Sequence, residues 1–431
     1  MRGFFGFAVA ALAGLVVQCA ADATIARPGG VDDLVITKDN TLNKTMARFK
    51  LANVQSGTLP ISVMNNFGDG MNMYLTGLDR AGTPCLLGAN GQYVYPQATS
   101  GNPQEIKSNI AIPLGGHGSM NKITLPGPLI SARIWFAKGH LTFYTVKDGN
   151  GVPAIVEPSA VNAADPSADI LWGFIEFNYD GTTIYANISY VDFVGLSLGM
   201  GLTLGTGETQ IVKGLEPGAV ESICNGVKKQ ADADGQPWDK LCVATSSGEA
   251  LRVVSPNLYV SANEAAFEKY YTEYVNQVWT KYASEDLIIN TQAGPGKVAC
   301  RAMGNQMTCA GDNRTYTKPT TEDIWGCNSG PFAILPGDSQ VHSAVVPRLC
   351  AAFDRSTLLL DGGNVQPALG AESYYTIEPT NHYSRIVHIY ETNNVGYAFS
   401  YDDVNPDGQN AAGVVSGPNP TNLKVTVGGW S

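Results

Sequence analysis

From residue 33 onward the apolar positions fall in short alternating runs, broken by glycine, proline and asparagine. These runs predict β-strands over 34–36, 48–52, 61–64, 73–75, 131–136, 140–144, 171–179 and 183–191, a spacing that suits a barrel or sandwich. The period changes after Gly199-Met200-Gly201. Val220, Ile223, Cys224 and Val227 recur at helical spacing, and Ser261 with Glu264 suggests a capping box opening a second, stronger helix. The aromatic stripe Phe267, Tyr271, Tyr274, Val278 and Tyr282 on that helix reads as a face turned to the core. Alternation returns at Ile386, His388 and Tyr390, at Tyr397, Phe399 and Tyr401, and at Leu423, Val425 and Val427. The expected organisation is therefore mainly β: a β-barrel or sandwich over 24–204, a mixed α/β domain inserted over 205–355, and a return to the barrel over 356–431. No internal repeat is visible.

The first residues form a separate element. Arg2 precedes an uncharged apolar run from Phe4 to Val17, and Ala21-Asp22-Ala23 suits signal peptidase. Residues 1–23 thus read as a signal peptide, because about 14 apolar residues fall short of the roughly 20 that cross a bilayer. No later stretch is long enough, and the C-terminus lacks the hydrophobic tail of a lipid-anchor signal. A secreted, extracellular protein without a membrane anchor is expected. Eight cysteines are present, of which Cys19 falls within the signal. Cys300 and Cys309 flank a hairpin turning on Gly304-Asn305, at a non-hydrogen-bonded site where a disulfide fits. Short loops favour Cys224 with Cys242 and Cys327 with Cys350. Cys85 is left as a buried free thiol.

Charge narrows the partner. A net charge of -11 and a charged fraction of 15%, without basic patches, argue against nucleic acid and against an anionic membrane surface. A neutral polymer is the easier partner, and the protein is expected to act as a monomer. Several short motifs lead nowhere. Gly195-Leu196-Ser197-Leu198-Gly199 matches a nucleophile elbow, but the glycine-rich 200–205 stretch cannot supply the helix that such an elbow needs. Asp403 to Gly408 copies the first half of a calcium loop, yet Val414 stands where a bidentate glutamate belongs. The five histidines show no paired metal spacing, so each reads as structural. No metal or organic cofactor is expected.

The richest segment runs from Trp172 to Phe193. Asp180-Gly181 reads as a two-residue hairpin turn that pairs Glu176 with Tyr185 and Asn178 with Thr183. One face then carries Glu176, Asn178, Tyr185, Asn187 and Ser189; the other carries Ile175, Phe177, Ile184, Ala186 and Ile188 and is the core. A sugar-cleaving groove and an ordinary solvated face both fit that pattern. Asp192 has the wrong parity for the polar face and must sit past the strand end. Of the sequons at Asn43, Asn187 and Asn313, glycans are expected to be possible at Asn43 and Asn313 but not at Asn187, which the hairpin register points into the candidate groove.

At this segment the sequence resembles glycoside hydrolase family 64, the inverting endo-β-1,3-glucanases with a thaumatin-like barrel. The likeness is carried by Ala132-Arg133-Ile134-Trp135-Phe136, by Val156-Glu157-Pro158-Ser159 with Asp165-Pro166, by Gly173-Phe174-Ile175-Glu176-Phe177, and by the stretch from Tyr185 to Phe193. It extends to 271–282 and to 396–403. The resemblance implies a thaumatin-like β-barrel with the inserted domain beside it and a groove between them, with β-1,3-glucan as the polysaccharide bound and cut to short laminari-oligosaccharides. It implies Glu176 as general acid, Asp192 as general base, and Asn178, Asp180, Tyr185 and Ser189 as sugar contacts. Glu157, in a loop before Pro158, reads as a supporting residue. The rival expectation is a non-catalytic β-glucan-binding or wall-associated thaumatin-like protein, since that fold also serves that purpose.

Overall fold

The computed structural model describes residues 35–36, 57–148, 151–392, 395–409 and 413–430. The signal peptide, the strand expected over 48–52 and the Asn43 sequon lie outside the described residues. The chain is mainly β and divides into two compact units, the first comprising residues 1–186, 201–211 and 415–428, the second 187–200, 212–414 and 429–431.

In the first unit the strand Leu59–Asn65 pairs antiparallel with Ser119–Leu125 and parallel with Pro420–Val427. Ile61, Val63, Leu423, Val425 and Val427 alternate with polar neighbours and are fully buried, which is how a strand with one core face behaves. A larger sheet runs in the order Val414–Pro418, Thr183–Asn187, Trp172–Tyr179, Leu129–Lys138, Met71–Leu78, Pro84–Leu87, Tyr93–Val94. Its middle strands are buried on both faces: every residue of Met71–Leu78 and of Trp172–Tyr179 is buried. The polar face expected on the 172–179 strand is therefore not a solvated one. Cys85 lies in this unit on the Pro84–Leu87 strand, as a buried free thiol.

The second unit holds a three-stranded sheet in the order Phe193–Val194, Ala250–Val254, Cys242–Ala244, and a five-stranded sheet from Thr315–Thr317 to Val365–Gln366. Around them lie the helices Ala219–Asp234, Pro256–Ala262, Thr272–Ser284, Gln340–Asp354 and His382–Tyr390. The three disulfides among the described residues belong to this unit and are the expected ones: Cys224–Cys242, Cys300–Cys309 and Cys327–Cys350. Cys300 and Cys309 face each other with Cα atoms 4.0 Å apart, and Gly304 opens the turn with φ +60°.

Several elements differ from the sequence expectation. Ser261 does not cap a helix; it lies near the end of Pro256–Ala262, whose N-cap is Ser255 with Pro256 at the first helical position. The aromatic stripe is buried as expected, but its helix begins only at Thr272. A capping box does occur elsewhere, at Thr320 and Asp323. The strand expected over 140–144 starts at Tyr144 instead. Ile386, His388 and Tyr390, which suggested a strand, lie on the helix His382–Tyr390, capped by Asn381. Tyr383, Ile386 and Val387 are buried there at helical spacing, so a short window satisfied both periods and the cap decided. Tyr397 contributes an isolated bridge to Ser189 rather than a strand. Residues 356–414 consequently belong to the second unit, and only 415–428 rejoin the first.

Candidate active site

Glu176 stands in the middle of the larger sheet of the first unit. It pairs with Arg133 on the neighbouring strand, and Arg133 pairs in turn with Thr76, so the three side chains form a row across one face. One step along, Tyr74, Trp135 and Phe174 form an aromatic row. Trp135 packs against Phe174 at 4.8 Å and against Trp172 at 5.4 Å between ring centroids. The Arg133 guanidinium lies over Phe174 at 4.7 Å, a planar cation against an aromatic face. Its Nε–H and Nη2–H donate to Glu176 Oε1 at 3.2 and 3.1 Å, and its Nη1–H donates to Glu157 Oε2 at 2.5 Å. The Thr76 hydroxyl donates to Glu157 Oε1 at 2.8 Å and accepts from Trp135 Nε1–H at 3.0 Å. All five residues are buried. Sequence reasoning singled out Glu176 but missed Arg133 as a partner; its signal was a lone charge inside the apolar 129–137 run. Glu157 and Glu176 share the Arg133 guanidinium.

The sugar-contact candidates divide. Asn178 shares the face of Glu176 and is 5% exposed; its Oδ1 accepts from the Ser131 amide at 2.7 Å. This bond braces the irregularity where the 129–138 and 172–179 strands slip register, at Ser131 with φ +48°. The turn is one residue later than expected: the Asp180 amide donates to the Thr183 carbonyl, leaving Gly181 and Thr182 as the central pair. Gly181 has φ +98°, which suits a glycine in the first central position. Asp180 Oδ1 accepts from the Thr182 and Thr183 amides and from the Thr182 hydroxyl, so that oxygen is occupied in shaping the turn. Tyr185 sits half-buried on the following strand, and Asn187, which ends it, is buried.

Ser189 and Asp192 belong to the second unit. As expected from parity, Asp192 lies past the end of its strand, directly before Phe193–Val194. Its side chain is largely buried and its carbonyl accepts from the Ser255 amide at 2.7 Å. Beneath it, Tyr383 donates to the Tyr190 carbonyl at 2.6 Å. Burial first, then the negative charges near it beginning with Asp192, push the Tyr383 phenol well above its ordinary range.

The same unit contains a charge network that the sequence did not suggest. His388 Nδ1 meets Glu391 Oε2 at 2.7 Å, and Nε2 meets Asp402 Oδ2 at 3.0 Å. Asp402 also takes Arg355 Nη2 at 2.6 Å and the Ala398 amide at 2.9 Å. Burial opposes charge on the imidazole, but the Glu391 and Asp402 carboxylates outweigh it and raise its pKa to about 10. His388 is thus an imidazolium with both nitrogens donating.

Other candidates are ruled out by their contacts. Ser197 donates to the Glu216 carbonyl at 2.7 Å, and the chain continues into the strand Leu198–Leu204 rather than a helix. Among the described residues, the one group close enough to hold a metal is Cys327, Cys350 and Asp354. Its two sulfurs are joined in a disulfide, which leaves no thiolate to bind one.

Residues 57–427 match a family model described as beta-1,3-glucanase. Two curated proteins named glucan endo-1,3-beta-glucosidase, from Cellulosimicrobium cellulans and Arthrobacter sp. (strain YCWD3), are 25% and 24% identical over 361 residues. Those alignments cover 82% of this chain and 62% of each relative, so the chain spans less than two thirds of their length. Among solved structures, a laminaripentaose-producing beta-1,3-glucanase in complex with laminaritetraose superposes with a TM-score of 0.75 at 26% identity, covering 87% of this chain and 99% of the other. A beta-1,3-glucanase domain from Clostridium beijerinckii shares the fold at a TM-score of 0.68 and 19% identity, again over 87% and 99%.

Proposed function

This chain belongs to glycoside hydrolase family 64, and we propose that it is a secreted, inverting endo-β-1,3-glucanase that cuts linear β-1,3-glucan into short laminari-oligosaccharides. The observation that carries the reading is the likeness to the laminaripentaose-producing enzyme over 99% of that chain. Glu176 is the general acid, protonating the glycosidic oxygen as it leaves, and Asp192 is the general base, taking a proton from the attacking water. Glu176 suits its part because it is buried on the rigid centre of a sheet, where its position is fixed by packing. Asn178, Asp180, Tyr185 and Ser189 contact the sugar. For Asp180 that contact falls to the carboxyl oxygen outside the turn. The first unit is a thaumatin-like barrel and the second is its inserted α/β domain. Secretion agrees with three disulfides, which persist in oxidising compartments. Among the described residues, no helix is long and apolar enough to cross a membrane.

The test is incubation with linear β-1,3-glucan, following product length by chromatography and the anomer first released by NMR. Short oligosaccharides released as the α-anomer are expected. Release of the β-anomer would overturn inversion, and glucan that is bound but never shortened, at acidic and neutral pH alike, would overturn the enzyme reading in favour of a binding protein.

A further inference from the structure

Asp192 sits on a stretch of backbone gripped by three other segments of the second unit. The Tyr190 amide donates to the Tyr397 carbonyl at 2.8 Å, the Tyr190 carbonyl accepts from the Tyr383 hydroxyl at 2.6 Å, and the Asp192 carbonyl accepts from the Ser255 amide at 2.7 Å. Beyond it, Phe193 and Val194 pair with Val254 and Val253. Of these grips only the one from Tyr383 is made by a side chain. Tyr383 lies in the first turn of the helix His382–Tyr390, and its neighbour Ser384 donates from Oγ to the Ala398 carbonyl at 3.2 Å. Consecutive side chains of one helix thus hold both the 190–192 stretch and the Tyr397-Ala398 segment to which Tyr190 is bonded. The end of that helix is itself fixed. Asn381 caps it by accepting from the Ser384 amide at 3.1 Å, and Asn381 Nδ2 donates at 2.9 Å to Asp354 at the end of the helix Gln340–Asp354. Tyr190, Tyr383 and Ser384 are all buried, and burial, followed by the nearby negative charges, keeps the Tyr383 phenol protonated and donating.

Resting on the reading of Asp192 as the general base, we infer that the Tyr383 hydroxyl sets the position of that base. Tyr383 is a positioning residue: it acts through the Tyr190 carbonyl, two residues before Asp192. An inverting base must keep the attacking water between its carboxylate and the sugar. A displacement of about 1 Å at such a group costs on the order of 10²-fold in rate. Without the hydroxyl, the buried Tyr190 carbonyl loses this donor, and the cost of an unmade buried hydrogen bond drives the backbone carrying it to shift. The carboxylate of Asp192 moves with that backbone.

Tyr383→Phe removes one oxygen and keeps the ring that fills the core. On linear β-1,3-glucan its kcat should fall roughly 10–100-fold with KM little changed. Sodium azide then separates a displaced base from a general loss of structure. Azide is already an anion, so it attacks the anomeric carbon without giving up a proton: a C–N bond forms, the glycosidic C–O bond breaks, and the leaving oxygen takes the proton of Glu176. Azide should therefore restore turnover in Tyr383→Phe and yield an α-glycosyl azide, while leaving the unmodified protein's rate nearly unchanged. An unaltered kcat, or a loss that azide does not restore, would overturn the inference. Asp192→Ala keeps the two layers of the argument apart. It should show a larger loss with the same azide rescue, and if it stays active the base itself is misassigned. Should Tyr383→Phe fail to fold, Ser384→Ala, which frees the Ala398 carbonyl, is read in the same way: a kcat loss restored by azide is expected, and an unaltered kcat would overturn the inference.

Discussion

Replacing His388 by glutamine would leave Glu391 and Asp402 facing a neutral amide where a buried imidazolium now holds both. The ring is bonded at 2.7 Å to Glu391 and at 3.0 Å to Asp402, and its pKa rises from 6.5 to about 10. That rise, at roughly 1.4 kcal/mol for each pH unit, corresponds to about 5 kcal/mol of stabilisation below pH 6.5. It agrees with the roughly 3–5 kcal/mol lost when one member of a buried ion pair is removed. The folded pKa lies above the unfolded one, so the contribution is complete below about pH 6.5 and drains away as pH rises toward 10. Urea unfolding followed by tryptophan fluorescence, at pH steps from 6.5 to 9, should show stability falling by about 1.4 kcal/mol per pH unit from this group in the unmodified protein. His388→Gln should be less stable at pH 6.5 and should lack that component of the slope. Titrations away from this network, such as those of Tyr274 and Tyr282, are common to both proteins and cancel in the comparison, whereas Glu391, whose carboxyl His388 holds down, titrates higher in the variant. Equal stability of the two proteins at pH 6.5 would refute the claim that His388 is charged in the fold.

Glu176→Gln and Asp192→Asn should each reduce hydrolysis of linear β-1,3-glucan by roughly 10²–10⁴-fold while circular dichroism and glucan binding are retained; near-native rates in either would remove that residue from the proposed pair. Glycopeptide mass spectrometry should find glycan at exposed Asn313 and none at Asn187, which is buried; full occupancy at Asn187 would contradict its inward placement. Thr320→Ala should cost about 1 kcal/mol, because the Thr320 side chain and Asp323 satisfy the first amides of their helix reciprocally, and an unchanged urea midpoint would deny that role. Replacing Cys300 and Cys309 together by serine opens a loop of 9 residues' separation and should cost about 2.5 kcal/mol by chain entropy, measurable as a lower urea midpoint under non-reducing conditions, where the other two disulfides stay intact.

The sequence by itself determined what local pattern and covalent spacing can determine. Alternation located the 59–65, 71–78, 129–138 and 172–179 strands closely enough to find their buried faces, and the Gly304-Asn305 turn with its flanking cysteines specified the 300–309 bridge. Parity alone showed that Asp192 lies beyond its strand. Sequence likeness marked Glu176, because its motif is contiguous along the chain. What it could not supply were contacts between residues far apart in the chain. Arg133 and Thr76 come to this cluster from two other strands and Glu157 from the segment after a third, and nothing near any of them in sequence records that meeting. The same holds for His388, whose partner Asp402 lies 14 residues away and whose helix mimicked a strand over residues 386–390. Ser261 shows the converse limit: a capping-box pattern is only a local option, and Ser255-Pro256 upstream had already started the helix. Tertiary packing decided these cases because a buried charge is tolerable only when its partners are in place, and only the fold brings those partners together.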